Sequence, residues 1–204
     1  MKANETLLRV IENYRGCRSY RDHGWYNASP ELSWISGISF RTFFQRPSRL
    51  MLDLNGDSDG SKRRLLWQNG DKVFMLLNEE YTKVDEVSSA VAQIVGYGID
   101  CYALSLILSS LPEHPLFSND FALSQTDDND YLFVSECRPW TRLEIVVDSK
   151  LHFLRRIRFE TSDIAIQRHQ CQFIECVYSE VELNTELPDQ LFAFPSVSMI
   201  DETT

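Results

Sequence analysis

Hydrophobic and polar positions alternate most cleanly between Ile38 and Leu54, in ISFRTFFQRPSRLMLDL. Ile38, Phe40, Thr42 and Phe44 share one parity with Arg46, and beyond Pro47 the residues Leu50, Leu52 and Leu54 alternate with Met51 and Asp53. A period of two marks strands with two different faces. Pro47 has no amide hydrogen to give a ladder and belongs at a strand end. The stretch therefore predicts two strands broken at Arg46-Pro47. Ile38, Phe40, Phe44, Leu50, Leu52 and Leu54 face inward in that register; a slip of one residue would bring in Arg41 and Asp53 instead. Arg46 lies on the apolar parity, where an unpaired charge is costly and needs partners.

The rest of the chain sorts around this pair. Leu7, Val10, Ile11 and Tyr14 have helical spacing behind Asn4 as an N-cap, and Gly16 stops that helix. Cys17 to Tyr26 reads as a first strand. Arg64–Gln68 and Lys72–Leu77 form a hairpin across Asn69-Gly70. After Tyr81 the period changes: Val87, Val91, Ile94 and Val95 predict a helix stopped by Gly96 and Gly98. A second short helix follows Asp100 and ends at Pro112 and Pro115; Cys101, Leu104, Leu108 and Leu111 lie on one face, and the remainder is apolar too. A helix apolar nearly all round is buried or faces something apolar. Strands resume over 121–126, 131–137, 141–148, 152–161 and 164–183. Strands interrupted by one helical insert predict a single α+β domain over residues 1–204, built on an antiparallel sheet.

Composition narrows the chemistry. In 204 residues, 43% are hydrophobic and 25% charged, ordinary for a globular chain, and the net charge is -10. That balance argues against a general phosphate-binding surface and so against nucleic acid. The short basic runs Lys62-Arg63-Arg64 and Arg155-Arg156 read as solvated strand ends and turns. The cysteines, Cys17, Cys101, Cys137, Cys171 and Cys176, show no metal-knuckle or redox spacing and read as small core residues. No apolar run approaches the ~20 residues of a membrane-spanning helix. The opening MKANETLLRV has no apolar leader region. A periplasmic location is expected if a signal precedes it, and a cytoplasmic one otherwise.

Catalytic constellations do not emerge. There is no nucleophile elbow, zinc-protease helix or phosphate-cradling loop. Asp22-His23 could serve as orienter and base, yet no nucleophile accompanies it. His169 and Cys171 share a strand face, but two ligands do not make a metal site. Asn55, Asp57, Asp59 and Gly60 match part of a calcium loop, but Leu66 stands where the bidentate glutamate belongs, so 55–61 reads as a polar turn. Glu175 and Glu180 read as solvent-facing. No cofactor, metal or catalytic residue is expected.

Three blocks carry a family resemblance. An Arg46-Pro47 strand end leads through an apolar strand to a strand closing on Trp67-Gln68-Asn69-Gly70-Asp71-Lys72. A strand, acidic turn and strand run from Leu143 to Ile157, and Leu187-Pro188-Asp189-Gln190-Leu191-Phe192-Ala193-Phe194-Pro195 ends the match. In this order and spacing they resemble the periplasmic outer-membrane lipoprotein carrier (lipoprotein localisation factor) family and its diverged relatives. The resemblance implies an incomplete, half-open antiparallel β-barrel with helices over its concave apolar face. It implies a non-enzymatic binding protein for an acyl-chain, lipid or lipoprotein ligand. Cell-envelope proteins are possible partners, and an envelope sensor or structural interaction domain of the same fold is the alternative. The cavity would be lined by Ile38, Phe40, Phe44, Leu50, Leu52 and Leu54, with Leu104 and Leu108 opposite. Arg46 would be the lid latch, since the family's Arg-Pro arginine holds the lid helices by hydrogen bonds that ligand entry releases. Its expected acceptors are the carbonyls that end the helix before Gly96, or those around Gly98.

Overall fold

A computed structural model of the chain describes residues 3–30, 36–56, 63–77, 79–94, 101–108, 121–136, 142–160 and 173–194. It begins with helix α1 (Ala3–Gly16), followed by strands β1 (Ser19–Ala28), β2 (Ser39–Gln45), β3 (Arg49–Asn55), β4 (Arg64–Asn69), β5 (Lys72–Leu77) and β6 (Glu80–Val84). Helices α2 (Val87–Ile94) and α3 (Cys101–Ile107) come next. The chain then adds β7 (Ala122–Gln125), β8 (Tyr131–Ser135), β9 (Arg142–Val147), β10 (Leu154–Glu160), β11 (Phe173–Tyr178) and β12 (Glu182–Leu183).

The strands form one twelve-stranded sheet in the order β6-β5-β4-β3-β2-β1-β11-β10-β9-β8-β7, with β12 also on β1. All neighbours are antiparallel. The path does not close, so the sheet is a half-open barrel.

Register lines up one apolar stripe across it. Phe44 sits opposite Leu50, Thr42 opposite Leu52 and Phe40 opposite Leu54. Leu52 faces Leu66, which faces Met75. On the other side of β1, Tyr26 faces Cys176, which faces Ile157, which faces Ile145, which faces Phe133. Residues two apart project to the same face, so these positions make a continuous concave surface. Val10 and Tyr14 of α1, Val91 and Ile94 of α2, and Leu104 and Ile107 of α3 are buried in the same core. At ~25 cal/mol per Å² of apolar surface removed from water, this contact is what holds short helices that could not persist alone.

Several boundaries differ from the sequence reading. Helix α1 starts at Ala3, so Asn4 lies inside its first turn instead of capping it. Residues 80–84 form an edge strand that the sequence reading left out; its residues are exposed or half-buried, and an edge strand carries little two-face alternation. Of the strand expected over 164–183, residues 164–172 lie outside the described residues, and the remainder is two strands, broken where the Ser179 and Glu180 amides turn back to the His23 carbonyl. The calcium-like loop and the His169–Cys171 pair lie largely or wholly outside the described residues.

Candidate functional site

The site is built where the ends of strands meet the ends of helices. A helix leaves its last carbonyls without intrahelical donors. Helix α1 ends at Gly16 and α3 at Ile107. Arg46, just past the end of β2, reaches both. Its Nε donates to the Cys17 carbonyl (2.8 Å), and one Nη donates to the Arg15 carbonyl (2.7 Å) and the Ile107 carbonyl (3.3 Å). The guanidinium also lies over the Phe44 ring, 5.3 Å from its centroid. Arg46 is followed by a cis peptide bond to Pro47.

The expected acceptor at the end of α2 is used differently, and the carbonyls expected around Gly98 lie outside the described residues. The last carbonyl of α2, at Ile94, is taken by Arg64 Nη1 at 3.0 Å. Two rim arginines, one just past the end of β2 and one at the start of β4, each hold helix ends. Arg64 was missed as one residue of a solvated basic run, although it shares parity with Leu66. Its neighbour Arg63 is also engaged, pairing with Asp53 at 2.8 Å. Arg155 pairs with Asp148 (2.6 Å), and Arg156 lies 3.5 Å from Glu144 and 3.6 Å from Glu175. Arg63, Arg155 and Arg156 thus stay partly exposed at strand ends while paired, and Lys62 lies outside the described residues.

Phe40, Phe44, Leu50, Leu52 and Leu54 are each under 5% exposed on the concave face, and Leu104 and Leu108 are buried in the same core. Ile38 is half-buried against it. Arg41 points outward to Asp53. Asp53 itself is buried on the convex side, bridging Arg41 and Arg63 across strands. Beside Arg46 a cleft of about 600 Å³ opens between the sheet rim and α2 and α3. Phe44, Val73, Val87, Ile107 and Leu108 supply its apolar lining.

A polar centre sits within the apolar stripe. Tyr20 donates its hydroxyl hydrogen to Asp22 Oδ2, and the Thr42 amide donates to Asp22 Oδ1 at 2.9 Å. The Tyr14 hydroxyl accepts the Leu154 amide at 3.0 Å, which ties α1 to β10. Burial pushes the Asp22 carboxyl up to about 6, against the opposing pull of the Tyr20 and Thr42 hydrogen bonds. Burial also raises Tyr14, Tyr20 and Tyr178, and the Asp22 charge adds to each. Asp22 and His23 do not act as a pair: neighbours on a strand face opposite sides. The His23 ring lies 3.4 Å from Ser179 Oγ instead.

A group whose folded pKa is raised stabilises the fold when protonated. The advantage is full below about 4, falls as pH rises through about 6 and is absent above it. Asp22→Asn is therefore expected to raise stability at neutral pH by no more than about 3 kcal/mol, less what the loss of one acceptor oxygen costs, and to flatten the dependence between pH ~4 and ~7. Chemical denaturation across that range checks it. A variant less stable than wild type at neutral pH would mean the ionised carboxylate is favoured where it sits.

Glu175 is a further correction. It is buried on the convex face, accepts from Asn27 Nδ2 at 3.2 Å and lies 3.6 and 3.9 Å from Arg156 and Arg158. Glu180 is exposed. Cys17 and Cys176 are buried, and among the described residues neither is in a disulfide. Cys137, Cys171 and the Cys101 side chain lie outside the described residues. Among the described residues no group of three His, Cys, Asp or Glu is placed to hold a metal, and no helix is long and apolar enough to cross a membrane.

The last described segment, up to Phe194, lies on the convex face. Trp67 Nε1 and Asn69 Nδ2 donate to the Phe192 carbonyl at 3.0 and 3.3 Å. Phe194 packs against Trp67, Phe74 and Tyr81, and Arg49 pairs with Asp189 at 2.5 Å. The Phe-x-Phe segment is thus a strap over β4, β5 and β6.

No family model and no curated protein matches the chain. Several solved structures are similar to it over most of its length. A conserved uncharacterised protein from Thermus thermophilus overlaps with a TM-score of 0.53 at 11% identity, covering 95% of this chain and 94% of that one. The lipoprotein LppX from Mycobacterium tuberculosis gives 0.48 at 10% identity, over 91% and 96%. A LolA superfamily protein from Nitrosomonas europaea gives 0.40 at 10% identity, over 95% and 98%. At these identities the likeness is one of fold: the chain is a half-open antiparallel barrel with helices laid in its concave side, and the Thermus protein shares that fold.

Proposed function

We propose that this chain is a non-enzymatic carrier that holds an apolar acyl-chain or lipoprotein ligand between its curved sheet and its helices. One observation carries the reading. The helices over the apolar face are fastened at the rim by arginine hydrogen bonds to helix-end carbonyls, from Arg46 to α1 and α3 and from Arg64 to α2. Such bonds break and reform without disturbing the sheet. An apolar ligand entering beneath would replace helix–sheet contacts with its own and release the fastening. Ile38, Phe40, Phe44, Leu50, Leu52 and Leu54 would then line the ligand, with Leu104 and Leu108 opposite. Small-ligand sites of this kind are concave and mostly apolar, with few polar groups. The cell envelope is the compartment that suits such a cargo.

Titration with a neutral fluorescent acyl probe tests the reading. Saturable binding near one equivalent is expected, with loss of binding when Leu52 and Leu104 are both changed to glutamate in a variant that still folds. Absence of saturable binding would instead leave an interaction domain with a filled interior.

A further inference from the structure

Asp22 lies beneath α1, 4% exposed, with no positive charge to meet it. Tyr20 of the same strand donates to one of its oxygens, and the Thr42 amide of β2 donates to the other at 2.9 Å. Tyr14, in the last turn of α1, packs on the Tyr20 ring with centroids 5.5 Å apart and feels the Asp22 charge. Tyr178 faces the same charge from β11, its hydroxyl beside the Cys176 thiol. Cys17 follows the helix, with Sγ on the Tyr14 carbonyl at 3.0 Å. These phenols and thiols turn negative, never positive, when they titrate. Arg46 stands by Cys17, but its donors are on the Cys17, Arg15 and Ile107 carbonyls. Among the described residues no Lys, Arg or His pairs with Asp22.

The elements around Asp22 are not held equally. Strand β1 is laddered on both sides, to β2 on one and to β11 and β12 on the other. Helix α1 has no ladder. It is tied down by single side chains: Asn13 Nδ2 on the Leu151 carbonyl at 3.2 Å, the Tyr14 hydroxyl under the Leu154 amide at 3.0 Å, and Arg46 on its last carbonyls. A helix of 14 residues is marginal without such contacts. An ionised carboxylate buried without a counter-charge is costly, and water relieves that cost. Lifting α1 admits water to Asp22 while every ladder stays intact.

We propose that Asp22 is a proton-operated catch for α1: the helix lies docked while the carboxyl is protonated, and ionisation lifts it from the sheet. The catch needs no ligand, so it stands or falls apart from the carrier reading. Its sign follows from linkage. Docking holds the carboxyl at about 6, against 3.8 for the ordinary group, so the docked form is the one that keeps the proton. The advantage is full below about pH 4, is lost between roughly 4 and 6, and is gone above that. Burial keeps Tyr14, Tyr20, Tyr178 and Cys17 protonated through this range, so among them and Asp22 only Asp22 changes charge.

The test is amide hydrogen exchange on the full chain at pH 5 and pH 7, each amide corrected for its intrinsic rate. Protection in α1 is expected to fall by about tenfold between the two, while β2 and β3 keep theirs. In Asp22→Asn the fall should shrink to less than about twofold. His152 is the ionisable ring on the turn that Asn13 touches, and its φ of 55° is one that asparagine tolerates. His152→Asn should therefore keep the tenfold fall. Equal losses in α1 and in β2 and β3 would mean that the Asp22 proton stabilises the whole fold, and would overturn the catch. A fall that survives Asp22→Asn, or one that vanishes in His152→Asn, overturns it as well.

Discussion

Gly24→Ala is expected to destabilise the protein by about 3 kcal/mol or more, a large share of the ~5–15 kcal/mol that holds a domain folded. Gly24 sits in β1 between its partners Phe40 on β2 and Tyr178 on β11. A methyl group there would lie 2.1 Å from the Val177 carbonyl oxygen and 2.3 Å from Cζ of Phe40. The ring could turn aside, but the carbonyl belongs to the neighbouring strand and moves only if the ladder does. Phe40 also packs on Tyr26 and Tyr178, so turning it disturbs two further aromatic contacts. Gly16→Ala is the control: nothing lies within 4 Å of the added methyl, and its effect should stay within about 0.5 kcal/mol. Denaturant unfolding of the two variants decides the matter. A Gly24→Ala midpoint like that of wild type would mean the β1 and β11 backbones are not so closely apposed.

Arg46→Leu is expected to free the helix ends while the sheet persists. Leucine fills the apolar volume beside Phe44 and removes the donors to Cys17, Arg15 and Ile107. Hydrogen bonds from a charged donor contribute ~1.5–3 kcal/mol each; Arg46 is half-exposed and one bond is long, so the set is worth roughly 2–4 kcal/mol. Amide exchange in residues 101–107 should therefore quicken by about tenfold or more, while β2 and β3 keep their protection. Release of a bound acyl probe should speed up in parallel. Arg46→Lys should not restore either, since a single ammonium cannot reproduce the forked geometry. Unchanged exchange over 101–107 would show that packing alone holds α3, and the latch would be abandoned.

The strands that carry the core could be read from the sequence where one face is wet and the other dry. The alternation of Phe40, Thr42 and Phe44 with Arg41 and Phe43, and of the three leucines of β3 with Met51, matches the observed burial. Asn69-Gly70 announced its hairpin, with Gly70 at φ 61°. Arg46 stood out as a charge on an apolar parity. Its partners did not, because they are main-chain carbonyls of helices 29 to 61 residues away, invisible to any residue pattern. Glu175 was misplaced for a related reason. A glutamate on a strand looks solvent-facing until register brings Arg156 and Arg158 alongside it. Asp22 was legible as a charge but not as a buried one, since Thr42 meets it only through the pairing of β1 with β2. The edge strand β6 was hidden by its own polarity.

The position of β1 has a consequence for how the chain assembles. Strands β1 to β6 form one meander from neighbouring segments, and β7 to β11 form another. The two meet along a single seam, where Gly24 to Ala28 pair with Ile174 to Tyr178, some 150 residues later. Local hairpins close early; pairing across such a separation must wait for loop-closure entropy to be overcome. On the ribosome the first meander is complete long before its partner strand is made. Its inner edge and apolar stripe then stand open to other chains. The seam is thus the step at which the two halves commit to one another, and the stage at which the emerging chain most needs a chaperone.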